Sequence, residues 1–159
     1  MSENNYLKLP DTLVSTEGSA YITINGQNRP MFEVSSLNAQ IEAGVQGKRL
    51  LGHRMTQHKQ ISGEGTGSGT FYFMNSQMLA EFNSYKKNGI PPSITLQIIN
   101  EDPQSTVGRQ NVALYNVIFA NVPVASLDDG SEDPITFDSD FTFDDVELLE
   151  KFQLPENYR

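Results

Sequence analysis

Cysteine is absent from the 159-residue chain. That excludes a disulfide framework, thiolate metal sites and a cysteine nucleophile together. Tryptophan is absent too, which weakens a sugar-binding reading that would want exposed aromatic platforms. No run approaches the roughly 18 apolar residues a membrane-spanning helix needs, so no membrane anchor is expected. The stretch from Met1 to Pro10 has neither a basic nor an apolar segment of the secretory kind, so no signal peptide is expected there. Positive charge is scarce: 11 Lys and Arg stand against 20 Asp and Glu, for a net charge of −9. Such a chain is a poor prospect for gripping nucleic acid, because phosphate neutralisation needs Lys and Arg.

The charge is unevenly placed. Up to Gln60 there are five acidic and six basic side chains, whereas from Asp128 onward there are eleven acidic and two basic. A chain of this length suits one domain.

Alternation dominates the pattern. Ala20, Ile22 and Ile24 share one side of a strand that runs into Asn25-Gly26, a strong hairpin signal because both turn positions favour positive φ. The return strand spans about Pro30 to Val45. Its apolar parity switches at Ser35-Ser36, from Phe32 and Val34 to Leu37, Ala39, Ile41, Ala43 and Val45, which predicts a bulge. Asn38, Gln40 and Glu42 fall on the opposite face. Gly47 to Gln60 is basic and without clear period, and reads as a long loop or protruding hairpin.

From Ser62 the chain alternates in an unusual way. Gly63, Gly65, Gly67 and Gly69 take the odd positions; Glu64, Thr66, Ser68 and Thr70 take the even ones. One face is then bare backbone and the other a small polar row. A glycine row suggests close approach by another element, with Phe71 and Phe73 carrying that face into a core.

Asn75 to Asn88 reads as a helix with Met78, Leu79, Phe82 and Tyr85 inward, capped by Asn75 or Ser76 and ended by Gly89. Strands are expected at Ser93 to Asn100, Asn111 to Asn121 and Pro134 to Asp144, the last with Ile135, Phe137, Phe141 and Phe143 inward and Asp138, Asp140 and Asp144 outward. The tail from Val146 is expected to begin as a short helix. About seven strands and one helix give a mainly β fold: two packed antiparallel sheets, as a sandwich or barrel, with one flanking helix and a long protruding loop or hairpin. Residues 1–16 read as an arm and 17–159 as a single domain.

No chemical constellation stands up. His53 and His58 are not at helical ligand spacing, and Arg54 and Lys59 beside them would repel a cation. The alternating glycines lack the Gly-Lys-Ser/Thr of a phosphate loop. Asp128 to Asp133 lacks the ligand spacing of an EF-hand, and no nucleophile elbow is present. No catalytic residue, cofactor or metal is expected.

The run Gly47-Lys-Arg-Leu-Leu-Gly-His-Arg-Met-Thr-Gln-His-Lys resembles the G-x-R-x-x-G-H-[KR] stretch of tail tube proteins from contractile-tailed phages and PBSX-like defective prophage or bacteriocin particles. The resemblance continues in order through Gly65-Thr-Gly-Ser-Gly-Thr-Phe-Tyr, Tyr85-Lys-Lys-Asn-Gly, Ile94-Thr-Leu-Gln, Val112-Ala-Leu-Tyr-Asn-Val, Ala125-Ser-Leu-Asp and Phe141-Thr-Phe-Asp-Asp. It implies a structural subunit without enzymatic activity. Six copies would form a ring, and stacked rings a hollow tube inside a contractile sheath. Implied partners are further copies, the sheath, baseplate and tape-measure proteins, and DNA that passes without tight binding. The implied location is the tail of a virion or phage-like particle made in the host cytoplasm. Under that resemblance Lys48, Arg49, Arg54, Met55 and Lys59 are the expected inter-ring contact. Asn38, Gln40, Glu42, Glu64, Thr66, Ser68 and Thr70 are the expected lumen or wall. A tube component of a related secretion system is the alternative, and a monomeric β-sandwich binding module a weaker one.

Overall fold

The computed structural model describes residues 6–130 and 132–159. Asn25 and Gly26 both take positive φ, at 51° and 86°, and turn β1 (Gly18–Ile24) into β2 (Gln27–Pro30). The chain then builds β3 (Val34–Lys48), β4 (Gln57–Tyr72), helix α1 (Gln77–Asn88), β5 (Ile94–Glu101), β6 (Arg109–Tyr115), β7 (Ile118–Phe119), β8 (Thr136–Phe143) and β9 (Asp145–Glu150). Two open antiparallel sheets result. Sheet A runs β2-β1-β5-β6-β9 and sheet B runs β3-β4-β8-β7. The two-sheet, one-helix expectation holds, but neither sheet closes into a barrel.

Two local expectations need correction. The strand expected over Asn111 to Asn121 is two strands in different sheets. At Asn116 the backbone takes φ 54°, a conformation asparagine tolerates better than most residues, and the chain crosses from β6 in sheet A to β7 in sheet B. Val117 lands at the crossing, buried, with its N–H donating to the Ile94 carbonyl at 3.0 Å. The tail from Val146 is not helical. It forms β9 against β6, because Val146 and Leu148 find Leu114 and Val112 as cross-strand neighbours. Of the long loop or protruding hairpin expected over 47–60, the structure has the hairpin: β3 and β4 stay paired out to Lys48 and Gln57, leaving only 49–56 as the tip.

The expected bulge is present, as a register shift between Val34 and Ser36. It moves Leu37 onto the face that meets the core. That core joins Ile22, Ile24, Ile94, Leu96 and Leu114 of sheet A to Phe71, Phe141 and Phe143 of sheet B. Each such buried side chain contributes about 1.5–3 kcal/mol. Phe71 stacks on Phe137 at 5.3 Å and meets Phe119 edge-on at 5.9 Å.

Helix α1 begins at Gln77, whose N–H donates to Asn75 Oδ1 at 2.8 Å, and ends at Gly89 with φ 73°. Only part of its expected inward stripe is covered. Met78 packs against the core, but Phe82 and Tyr85 remain 45% and 41% exposed. Arg29 fastens the helix start to the first hairpin. Its guanidinium donates twice to the Glu33 carboxylate, at 3.0 and 3.1 Å, and once to Gln77 Oε1 at 2.9 Å.

The described part of the N-terminal segment, from Tyr6, lies against the loop between β5 and β6. The Asp11 carboxylate is buried and accepts from the N–H and hydroxyl of Thr106, at 3.0 and 2.7 Å. These bonds favour the ionised form and hold the carboxyl below its ordinary range. The C-terminal segment reaches the same loop: the Glu156 N–H donates to Thr106 Oγ1 at 2.9 Å.

Candidate functional site

The hairpin β3–β4 carries every expected wall and inter-ring residue, and its register sorts them into two groups. Asn38 stands opposite Ser68, Gln40 opposite Thr66 and Glu42 opposite Glu64, while Ser36 stands opposite Thr70. Directly opposed residues share a sheet face. Asn38, Gln40, Glu42, Glu64, Thr66, Ser68 and Thr70 therefore lie together on the side of sheet B away from the core.

Strand β8 extends that face. Asp138 pairs with Thr70, Asp140 with Ser68 and Thr142 with Thr66. The Thr70 hydroxyl donates to Asp138 Oδ1 at 2.6 Å. The outward rows of these three strands, from Ser36 to Glu42, Glu64 to Thr70 and Asp138 to Thr142, hold four carboxylates and no Lys or Arg. The side chains are small enough to leave a shallow depression of about 450 Å³ between Asn38, Gln40, Thr66, Ser68, Asp140 and Thr142. The outward alternation of Asp138 and Asp140 was legible in the sequence. Their sheet partner was not.

The reverse face explains the glycines. Gly65 pairs with Phe143 and Gly67 with Phe141, and both phenylalanines are buried. A Cβ on Gly65 would come within 2.7 Å of Phe143 Cζ, and one on Gly67 within 2.5 Å of the Asn38 carbonyl oxygen. The close approach expected from the glycine row comes from aromatic rings of the adjacent strand, which lie across its bare backbone.

The second group sits further out. Beyond Gly65 and Phe143, β8 ends and the hairpin continues as two strands. A second register shift at Gly44 and Val45 leaves Ile61 as the extra residue. Lys48 closes β3, Lys59 lies near the start of β4, and Arg49, Arg54 and Met55 belong to the tip. All five are exposed. Between Glu42 and Glu64 the chain carries four Lys and Arg and no acid. The outward row thus runs from acidic over the sheet body to basic at the projecting end.

His53 and His58 lie in the same projecting segment. Among the described residues no group of three or more His, Cys, Asp or Glu side chains is placed to hold a metal ion. No described helix is long and apolar enough to cross a membrane. The acidic stretch at Asp128 forms a local turn, with the Gly130 N–H donating to Asp128 Oδ1 at 2.9 Å; Ser131 lies outside the described residues.

Known proteins resemble the chain along almost its full length. A family profile described as phage tail tube protein matches residues 5–150. The phage-like element PBSX protein XkdM of Bacillus subtilis (strain 168) is 33% identical over 145 residues, covering 91% of this chain and 95% of that protein. The uncharacterized protein YqbM of the same strain is 32% identical over 147 residues, covering 92% and 97%. Among solved structures, a chain of the six-fold-symmetrised anti-feeding prophage baseplate matches the fold with a TM-score of 0.61, at 16% identity over 87% of this chain and 95% of that one. A chain of the sheath/tube terminator of the PVC extracellular contractile injection system matches with a TM-score of 0.62, at 12% identity over 82% and 93%. The chain belongs to the phage tail tube protein family, a family of structural rather than enzymatic components of phage and phage-like particles.

Proposed function

We propose that this protein is the repeating subunit of an inner tail tube. Six copies close into a ring, and rings stack into a hollow conduit within a contractile sheath, with baseplate and tape-measure proteins as further partners. The polar face of sheet B lines the lumen, and the basic hairpin tip contacts the next ring. Residues 1–16 serve as an arm on the domain formed by 17–159. The protein is made in the host cytoplasm and resides in the tail of a virion or phage-like particle.

One observation carries this reading: a single open sheet gathers all seven expected wall residues on one face without a cation over its body. Such a wall repels phosphate, so DNA slides past without being held. The strand directions support the ring. All pairings in sheet B are antiparallel, so its two edge strands, β3 and β7, run in opposite directions. A copy rotated about a ring axis presents its β3 antiparallel to its neighbour's β7, and closure removes both free edges. Stacking is then head-to-tail, a contact that repeats without limit.

Negative-stain microscopy of the concentrated protein tests the reading. Hollow filaments of uniform width are expected. A stable monomer by sedimentation at high concentration would sink it.

A further inference from the structure

Two apolar surfaces lie at opposite edges of sheet B. The first belongs to β3. Leu37, Ala39, Ile41 and Ala43 pair with Gly69, Gly67, Gly65 and Gly63 and so face the core side. Val45 continues the row along β3, yet Ile41 and Val45 are 59% and 56% exposed. The second is a groove of about 420 Å³ between α1 and β7. Met78, Phe82, Tyr85 and Pro91 form its walls, and buried Ile94 and Val117 its floor.

We propose that these surfaces are the two halves of one contact: the Ile41–Val45 row of one copy fills the α1–β7 groove of the next. The proposal rests on the ring reading above and specifies the side-by-side contact within it. Rotation about a ring axis keeps the core side of sheet B on the same side of the wall in every copy. When β3 of one copy continues the sheet beyond β7 of its neighbour, the core-side row of β3 lies on the side where the neighbour's groove opens. The row needs such a cover. Among the described residues no third strand pairs with the hairpin past Gly65, and an isolated two-stranded hairpin is marginal in water. The groove needs an occupant as well, because two aromatic side chains of an otherwise regular amphipathic stripe stand half exposed at its wall. A two-fold arrangement pairing β3 with β3 would bring row to row and leave the groove open. The rotational arrangement covers both surfaces at once.

The absence of cysteine makes the contact directly testable. The double variants I41C/F82C and V45C/F82C, checked for native circular dichroism, are assembled where the unsubstituted chain forms tubes and treated with a short bismaleimide linker. Denaturing electrophoresis is expected to show a ladder of covalent multimers ending at the closed ring for at least one pair. A mixture of the I41C and F82C single variants is expected to stop at dimers. Tubes that form but give no ladder with either pair would overturn the groove contact while leaving the ring reading intact. Dimers from I41C alone would overturn it in favour of a β3–β3 pairing. An unsubstituted chain that never assembles would remove the ring reading and this contact with it.

Discussion

The ring of Phe141 lies against the bare backbone of Gly67 on the adjacent strand, in the space a side chain there would need. The site has no slack on its other side, since the Asn38 carbonyl oxygen would be 2.5 Å from an added Cβ. Gly67→Ala should destabilise the folded chain by about 1–3 kcal/mol, the usual cost of overpacking. Gly63→Ala is the control. Its nearest neighbour would be Ile41 Cγ2 at 3.4 Å, an ordinary contact, and alanine relieves the entropic cost of a strand glycine. A gain of about 0.5–1 kcal/mol is expected. Urea unfolding followed by circular dichroism separates the two, with midpoints moving in opposite directions. Equal shifts for both would contradict the packing account.

Features set by neighbouring residues were legible in the sequence, and features set by distant ones were not. The Asn25-Gly26 turn is written in two residues that tolerate positive φ. The bulge at Ser35-Ser36 shows as a change in apolar parity within one strand. The second bulge, at Ile61, leaves no such trace, because the flanking tip has no apolar alternation to interrupt. The break at Asn116 is hidden because both sides of it are apolar, and only the sheet crossing tells them apart. Val146 to Glu150 mixes Leu148-Leu149 with acids in a spacing that also fits a helix turn; β6 decides for a strand. The polar face was readable strand by strand. That Asp138 and Asp140 join it depends on the β4–β8 register, which no local pattern specifies.

Glu42 and Glu64 stand directly opposite each other in the ladder, an arrangement that disfavours the hairpin by like-charge repulsion. Glu64→Lys should stabilise the isolated chain by about 0.2–1 kcal/mol, with the gain fading as salt is added. If the face lines a DNA conduit, the same change should harm function, because a ring of new cations would hold phosphate. Particles built from the variant are expected to assemble with normal length and deliver DNA less efficiently. Unchanged delivery with normal incorporation would remove this face from the lumen.

The tip offers a separate test. Arg49 and Arg54 are exposed and lie outside both strands, so their charge contributes little to folding. Surface substitutions of this kind usually stay within about 0.5 kcal/mol. The double reversal Arg49→Glu with Arg54→Glu should leave the circular dichroism spectrum and thermal midpoint nearly unchanged. It should shorten tubes in negative stain to single rings or brief stacks. Long tubes from the double variant would show that the basic tip does not carry the stacking contact.

The Asp11 contact with Thr106 makes a prediction about acid. The two hydrogen bonds favour the carboxylate and lower its pKa in the folded chain. Its stabilising contribution is therefore complete above the ordinary aspartate value of 3.8 and is lost as pH falls through the lower folded value. Glu150 is lowered as well, chiefly by its bond with Arg109, so the unsubstituted protein loses stability in acid from more than one group. The comparison with Asp11→Asn isolates one of them. Asparagine keeps an acceptor oxygen but no charge, so the variant should melt below the unsubstituted chain at pH 7. The gap should narrow as pH falls below 3.8 and Asp11 protonates in the folded chain. Thermal midpoints of the two proteins from neutral into acid pH provide the measurement. A gap that stays constant with pH would mean the Asp11 charge is not what secures the N-terminal segment to the loop carrying Thr106.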